Sequence, residues 1–369
     1  MVHDPPHVEL SFYFEGVVMF LENCWYMIAW SHEISREPMR RIVLNRPIVV
    51  YRKEDEFPVA LEDRCVHKSI PLSLGTVIGD RIQCRYHGME YDCTGQCVKI
   101  PGQENIPSIA RITVYPVAEL FGCIWVWIGD EAEPNDSRIP DFHWLVDDKL
   151  GRVKGYSHLK ANYMLLNENL LDLSHIGFLH STTVGSSEFG EKAEVEAETS
   201  NDKVRVSRWT IDVPPQPTYG LLGQYTGNVD RWQISEFQPP CHHIVDTGAV
   251  DTGTGAPEGK KGTNRVDIKV CHTVTPEKEN SSHYFWCVSH PLNSVLADPA
   301  VKEEYYNQQK RVISEDVEMM VAQQQAIDTF GTNTTNIMIK HDIGVAAARR
   351  IMTRLLEQQE QGLAIGTGR

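Results

Sequence analysis

The sequence predicts an α+β protein of two domains, a small all-β domain followed by a sheet flanked by long helices. Three observations lead there. A length of 369 residues exceeds what one hydrophobic core usually serves. Residues 48 to 128 carry short β-branched and aromatic runs separated by turn residues. The chain closes with two segments of helical pattern, about 301–328 and 343–361.

In the all-β part, IVVYRK, FPVALED, ITVYPV and CIWVWIG alternate with turn signals at Pro71, Gly75, Gly79–Asp80, Gly88 and Thr94–Gly95. The stretch GDEAEPNDSRIP, residues 129–140, gathers acidic residues, Pro and Ser; this linker composition places the domain boundary at 140/141. The second domain opens with a helix expected near Tyr163–Leu179 and continues through strand-like segments KVRVSRWTIDV, RWQISEF, RVDIKVCHTV and HYFWCVSH. Between them DTGAVDTGTGAPEGKKGTN, residues 246–264, is expected to be a mobile Gly-rich loop. A sheet flanked by long helices can enclose a cavity.

Composition excludes several functions. A formal net charge of −15 argues against nucleic-acid binding, which needs a basic surface. The most apolar stretch, Phe121 to Ile128, has the length of a strand, so no membrane helix is expected. The N-terminus lacks a basic start followed by an apolar core, which makes the cytoplasm the default location. Nine cysteines, an odd number in a chain this long, point to metal binding before a disulfide scaffold.

Two constellations carry that reading. Cys65-Val66-His67 and Cys84-Arg85-Tyr86-His87 give C-x-H, sixteen residues, then C-x-x-H, each on a turn between expected strands. Two thiolates and two imidazoles are the ligand set of a Rieske 2Fe–2S centre, in which the histidines replace two cysteines on one iron. Structural zinc also accepts this set, although C-x-H is tighter than the usual zinc knuckle. Cys93 and Cys97 lie nearby and read as turn cysteines; the remaining five sit singly in apolar or strand contexts, as small buried hydrophobes.

The second constellation lies in YMLLNENLLDLSHIGFLH, residues 163–180. Asn169, Asp172 and His175 recur every three residues and would share one helix side. His180 falls roughly 140° from His175 on a regular helix, so both reach one metal only if the helix widens or breaks near Gly177. Two histidines need a carboxylate to complete a facial triad for oxygen-activating non-haem iron. In RVISEDVEMMVAQQQ, Asp316 shares its helix face with Val312, Val317, Met320 and Gln323 and is the preferred third ligand; Glu315 tends to the polar side.

The two loops CVHKSIPLSLG and CRYHGMEYD, and D-x-x-H-x-x-x-x-H followed some 135 residues later by an E-D pair, resemble the Rieske oxygenases. Val66 and Lys68 stand where similar sequences carry Pro and Arg, which affects loop stiffness and charge rather than ligation. NCWYMIAW, PGQENIPS, FGCIWVWIGD, LLDLSH and TPEKE resemble the aromatic O-demethylase branch. The resemblance implies a Rieske domain over 19–140 and a helix-grip catalytic domain holding mononuclear Fe(2+) over 141–369, with residues 1–18 as an extension. It implies a homotrimer served by an NAD(P)H-dependent flavin and iron–sulfur reductase or a ferredoxin. Asn169 and Asp172 receive catalytic roles beside the iron: Asp172 would accept a hydrogen bond from the His175 ring and meet His87 of the partner subunit.

The activity this implies is oxidation of a small aromatic substrate by O₂, foremost O-demethylation of a methoxylated aromatic acid with formaldehyde release. Other hydroxylations or N-demethylation use the same site; a pure Rieske electron carrier would lack the second metal set, and a ligand-binding module both. Pocket candidates are Trp209, Trp232, His242, His243, His272 and Trp286, of which the resemblance singles out His272 as a substrate contact. An aromatic carboxylate would call for a cation, for which Arg205, Arg208 and Arg231 are available.

Overall fold

A computed structural model describes residues 20–130, 134–186, 193–292, 295–331 and 336–362, with the backbone of two short strands, β1 (Tyr13–Phe14) and β2 (Val17–Val18). The expected extension over 1–18 otherwise lies outside the described residues. The chain forms two compact units, one of Phe20–Val146 with Thr275–Lys278, the other built on Asp147–Val274 and Glu279–Arg369.

The first unit holds β3 (Cys24–Trp30), β4 (Met39–Val43), β5 (Arg46–Arg52), β6 (Pro58–Glu62), β7 (Thr76–Ile78) and β8 (Arg81–Gln83). It continues with β9 (Glu90–Tyr91), β10 (Cys97–Lys99), β11 (Val114–Tyr115), β12 (Val117–Leu120) and β13 (Cys123–Ile128). They form three sheets, ordered β10-β9-β8-β7, β11-β6-β5-β4 and β12-β13-β3. All six residues of β13 are buried, as a continuous apolar run requires of a central strand. The unit keeps the chain through Val146, past the boundary expected at 140, because Phe142 is fully buried with its ring 6.0 Å from that of Trp125.

The second unit is built on a seven-stranded antiparallel sheet in the order β14-β20-β19-β18-β17-β16-β15. Its strands are β14 (Leu150–Leu159), β15 (Glu194–Ser200), β16 (Lys203–Val213), β17 (Val229–Gln238), β18 (His242–Asp251), β19 (Val266–Lys278) and β20 (Ser281–Pro291). Alternation drives β16: Val204, Val206, Arg208 and Thr210 are buried, while Arg205 is exposed. Among the described residues four helices accompany the sheet, α1 (Tyr163–Asn169), α2 (Pro217–Gly223), α3 (Pro299–Phe330) and α4 (Ile343–Glu360). Helix α3 starts where Asp298 accepts from Ala300 N (2.8 Å) and Pro299 occupies the first turn. It buries Tyr305, Gln309, Ile313, Asp316, Met320 and Gln324, a stripe of helical period whose polar members suit a site better than a core. No helix among the described residues is long and apolar enough to cross a membrane.

Two sequence expectations are corrected. The helix over Tyr163–Leu179 ends at Asn169; Asp172, in extended conformation, then caps a 3₁₀ turn, Leu173–Gly177, by accepting from Ser174 N at 2.9 Å. An Asp side chain that bonds the backbone two residues on competes with helix continuation, so Asn169, Asp172 and His175 do not lie along one helix. The segment 246–251 is strand, the second half of β18, paired with β17 on one side and β19 on the other. Gly248 signals close packing there: a Cβ would fall 2.2 Å from the Trp232 ring and 2.3 Å from the Val266 carbonyl. Gly248→Val should therefore destabilise the protein by about 3 kcal/mol, measured by chemical unfolding.

Candidate metal centres

In the first unit the two Cys-His loops share one backbone device. Cys65 N donates to Ile70 O and Ser69 N to Cys65 O; Cys84 N donates to Met89 O and Gly88 N to Cys84 O. The residue four beyond each cysteine is left-handed, Ser69 at φ 56° and Gly88 at φ 73°. Both cysteines are buried and both histidines exposed, with the His67 and His87 Nδ1 atoms 3.1 Å apart. Burial pushes the Cys84 thiol up, and a hydrogen bond with Cys65 adds to it. Tyr91 lies beside the cysteine pair: its hydroxyl accepts from Val66 N (3.1 Å), which leaves its proton for Cys65 Sγ at 3.3 Å.

A single tetrahedral zinc would hold all four donor atoms within about 4 Å of one another, given metal–ligand bonds of about 2.0 to 2.3 Å. Among the described residues only His175, His180 and Asp316 converge to within 4.8 Å. Sulfurs paired inside and imidazoles paired outside fit two irons, one per pair. Cys93 and Cys97 join no such set: Cys93 donates to Asp80 O and Cys97 to Lys99 O.

In the second unit, Asp316 Oδ1 lies 3.1 Å from His180 Nε2 and 3.5 Å from His175 Nε2. The break after α1 is what turns both rings onto one point, their centroids 5.2 Å apart. Each histidine is held through its other nitrogen. Nδ1 of His175 bonds the main-chain carbonyl of Asp172 (2.6 Å), and Nδ1 of His180 bonds the Glu315 carboxylate (2.7 Å), which leaves both Nε2 atoms for a metal. Asp172 thus serves His175 through its carbonyl, not through the carboxylate that sequence reasoning favoured; that carboxylate caps Ser174. Sequence reasoning weighed Glu315 as a ligand and missed its part as the His180 support; the signal was its position next to Asp316.

Burial penalises charge throughout this cluster. It holds His175 below the usual imidazole range. Burial also opposes protonation of His180, but bonds to Asp316 and Glu315 outweigh it and raise that ring. It likewise opposes ionisation of Asp316, where His180 and His175 prevail and keep the carboxyl low. Asn169 Nδ2 donates to Asp316 Oδ1 (3.3 Å). The neighbouring Glu168 is clamped by Arg349 of α4 through two bonds of 2.6 Å, which ties the end of α1 in place.

These three candidate ligands line a cavity with apolar walls, including Leu173, Ile176, Val245, Val270 and Ile313. His272 lines it too, its Nδ1 2.7 Å from the Tyr284 hydroxyl; burial pushes this histidine down to about 4, so it is neutral at physiological pH. The other expected pocket residues are not in its lining. His243 bonds Asn167 (3.2 Å), His242 faces Thr273 (3.4 Å) and Trp232 donates to Asp246 (2.8 Å). Trp209 stacks near Trp232 at 5.6 Å, and the Trp286 ring covers Gly155. Of the three arginines only Arg231 reaches the lining; Arg208 is buried on β16 opposite Gln233 without joining the lining, and Arg205 is exposed.

Two donor sets of this kind define an oxygenase with an iron–sulfur centre and a separate catalytic iron. Residues 24–114 match the Rieske 2Fe–2S domain and residues 159–358 the C-terminal domain of vanillate O-demethylase oxygenase. The chain belongs to the Rieske non-haem iron oxygenases. It is 36% identical to the iron–sulfur subunit of the toluene-4-sulfonate monooxygenase system of Comamonas testosteroni, over 94% of this chain and 100% of that protein. It is 32% identical to the vanillate O-demethylase oxygenase subunit of Pseudomonas sp. HR199, over 93% and 97%. The crystal structure of dicamba monooxygenase with non-haem iron and dicamba superposes at a TM-score of 0.78 with 27% identity, covering 93% of this chain and 99% of that one. The cofactors are accordingly a Rieske 2Fe–2S cluster and mononuclear iron.

Tyr91 generates a measurable expectation. A hydroxyl donated to a cluster sulfur favours the more negative, reduced form. Tyr91→Phe should lower the midpoint potential of the cluster, by about 60 mV for each tenfold change in that preference, in a redox titration followed by visible absorbance.

Proposed function

We propose that the protein is a monooxygenase that removes the methyl group of a methoxylated aromatic acid as formaldehyde. The observation that carries this reading is a His175/His180/Asp316 triad opening into a buried, largely apolar cavity. The vanillate and dicamba enzymes among its relatives are O-demethylases by name. Bound iron supplies O₂ activation there, and the cluster supplies electrons one at a time.

The chain's own residues do the rest. His175, His180 and Asp316 would hold the iron and would leave it open coordination positions for O₂. The Asp172 carbonyl and Glu315 fix both imidazole tautomers. Apolar walls exclude water and hold an aromatic ring. With the Tyr284 hydroxyl donating to its Nδ1, neutral His272 keeps its proton on Nε2 and offers it to a substrate oxygen. Insertion of one oxygen atom of O₂ into a methoxy C–H bond gives a hemiacetal, which collapses to a phenol and formaldehyde. The second oxygen atom leaves as water after two electrons and two protons are taken up.

The toluene-4-sulfonate relative favours a second reading, hydroxylation of a methyl carbon attached directly to the ring. The products separate the two. With a compatible reductase and methoxylated benzoates, the first reading expects formaldehyde in step with NADH loss; turnover that yields only a benzylic alcohol from a methylated acid supports the second. Asp316→Ala should abolish either product and lose the mononuclear iron while the cluster absorbance remains, which metal analysis reads directly.

Its relatives are oxygenase components of multi-component systems, and the electron source is an NAD(P)H-dependent flavin and iron–sulfur reductase or a ferredoxin. Exposed Lys68 and Arg85 beside His67 and His87 offer that partner positive charge, whereas Arg81 and Lys99 are engaged by Glu90 at 3.6 and 2.7 Å. The oligomer is a trimer in which Asp172 meets the partner subunit's His87. Asn169 steadies Asp316. Asp172→Asn should keep cluster and iron, yet slow oxidation of the reduced cluster by O₂ and substrate by orders of magnitude in a single turnover. Wild-type rates in fully metallated protein would remove Asp172 from the electron path.

A further inference from the structure

The cavity is polar at two places, and only one of them is the metal site. On helix α3, Gln309, Ile313 and Asp316 share the face that lines the cavity. Asp316 and Gln309 are seven residues apart, about 10 Å along the helix axis, with Val312 and Ile313 between them. The sheet repeats this order. Arg231 and Gln233, alternate residues of β17, line the cavity, and the ladder runs from Gln233 through Thr247 to Ile268. His272 lies two pleat repeats further along β19, in the row of His243 and Phe237.

Helix α2 bridges Arg231 and the turn of α3 that carries Gln309. The Arg231 guanidinium lies 4.6 Å above the Tyr219 ring, and the adjacent Thr218 hydroxyl donates to Gln308 of α3 at 3.2 Å. Arg231 Nη1 also donates to the Val184 carbonyl (2.5 Å), which steers the guanidinium. Among the described lining residues Arg231 is the one permanent cation and Asp316 the one carboxylate. Gln309 and Gln233 are 6% and 8% exposed, and Gln309 Nε2 and Gln233 Oε1 are buried with no hydrogen-bond partner. Buried polar atoms in that state are uncommon in a finished core, and in a cavity wall they await a ligand. A carboxamide rotates to present either end, so each glutamine can supply a donor.

We infer that Arg231 and Gln309, with Gln233 beside them, form an anion clamp that holds the carboxylate or sulfonate of the substrate and so aims its opposite end at the metal. A guanidinium and an amide N–H are the donors that both oxyanions take, and the apolar band between clamp and metal accepts the ring. This rests on reading the cavity as the substrate pocket of the oxygenase. Arg231 is a specificity-determining residue here. It does not touch the reacting carbon.

The test uses holoenzyme with intact cluster and iron, and equilibrium titration of matched probes: 4-methoxybenzoate against 4-methoxybenzamide, and 4-toluenesulfonate against 4-toluenesulfonamide. Wild type should bind at least one anion roughly 10- to 100-fold tighter than its amide, the range of a charge-assisted bond. Arg231→Met should abolish that preference while changing amide affinity less than about threefold. Arg231→Lys should restore part of it, and Gln309→Leu should lose part of it with the arginine intact. Retention of the cluster spectrum certifies folding; if Arg231→Met fails that check, the Lys and Gln309 variants decide. Equal affinity for anion and amide in wild type, or an undiminished preference in the folded variants, overturns the clamp. Product analysis on the same samples judges the chemistry separately: charge preference without formaldehyde refutes O-demethylation and leaves the clamp standing.

Discussion

The catalytic unit is organised around one buried carboxylate, Asp316, 4% exposed, whose Oδ1 faces two imidazole nitrogens. A carboxylate in that setting costs several kcal/mol in lost hydration unless cations or donors surround it. Helix α3 brings the carboxylate; the 3₁₀ turn after α1 brings His175, and the chain just beyond it His180. Glu315, Asn169 and the Asp172 carbonyl then complete the donor and acceptor requirements around the three. The half-buried Glu168–Arg349 clamp supports the same arrangement, since it anchors the end of α1 to α4. Removing one partner of such a pair would strand the other, so the pair fixes position more than it adds stability.

The first unit solves a different problem with repetition. Two loops with equivalent hydrogen bonds each bury a thiol and expose an imidazole. The left-handed fifth residue of each loop makes the reversal. Glycine adopts that conformation freely at 88, and Ser69 is held in it at 69 by the bond from its amide to the Cys65 carbonyl. Inside-out pairing places the histidines at the surface, where an electron-transfer partner can approach, and leaves the cysteines in a core with Met89, Tyr91 and Cys97.

The cavity joins these constraints to selectivity. Its walls alternate as strands must, so that β17, β18 and β19 each contribute every second residue, and the polar ones fall at its ends. Polarity at the metal end is required by ligation. Polarity at the Arg231 end is not, and that makes it informative about what the cavity accepts.

Sequence alone pointed to the donor chemistry of the first centre, because C-x-H and C-x-x-H are local patterns, whereas pairing His175/His180 with the distant Asp316 leaned on the family resemblance. It also determined most elements: β16 coincides with KVRVSRWTIDV, and α3 and α4 lie close to the expected helices. Local preference failed where contacts across the sheet outweigh it. Gly248 reads as a loop residue until Trp232 is placed over it, and Asp172 reads as helical until its carboxylate caps Ser174. Choosing Arg231 over Arg205, and His272 over His242, needed strand register, whereas Arg208 and His243 share the cavity side of the sheet, opposite Gln233 and His272, and are left out by their position along it. A side chain one residue away faces the other side of the sheet, and no periodicity says which side carries the cavity.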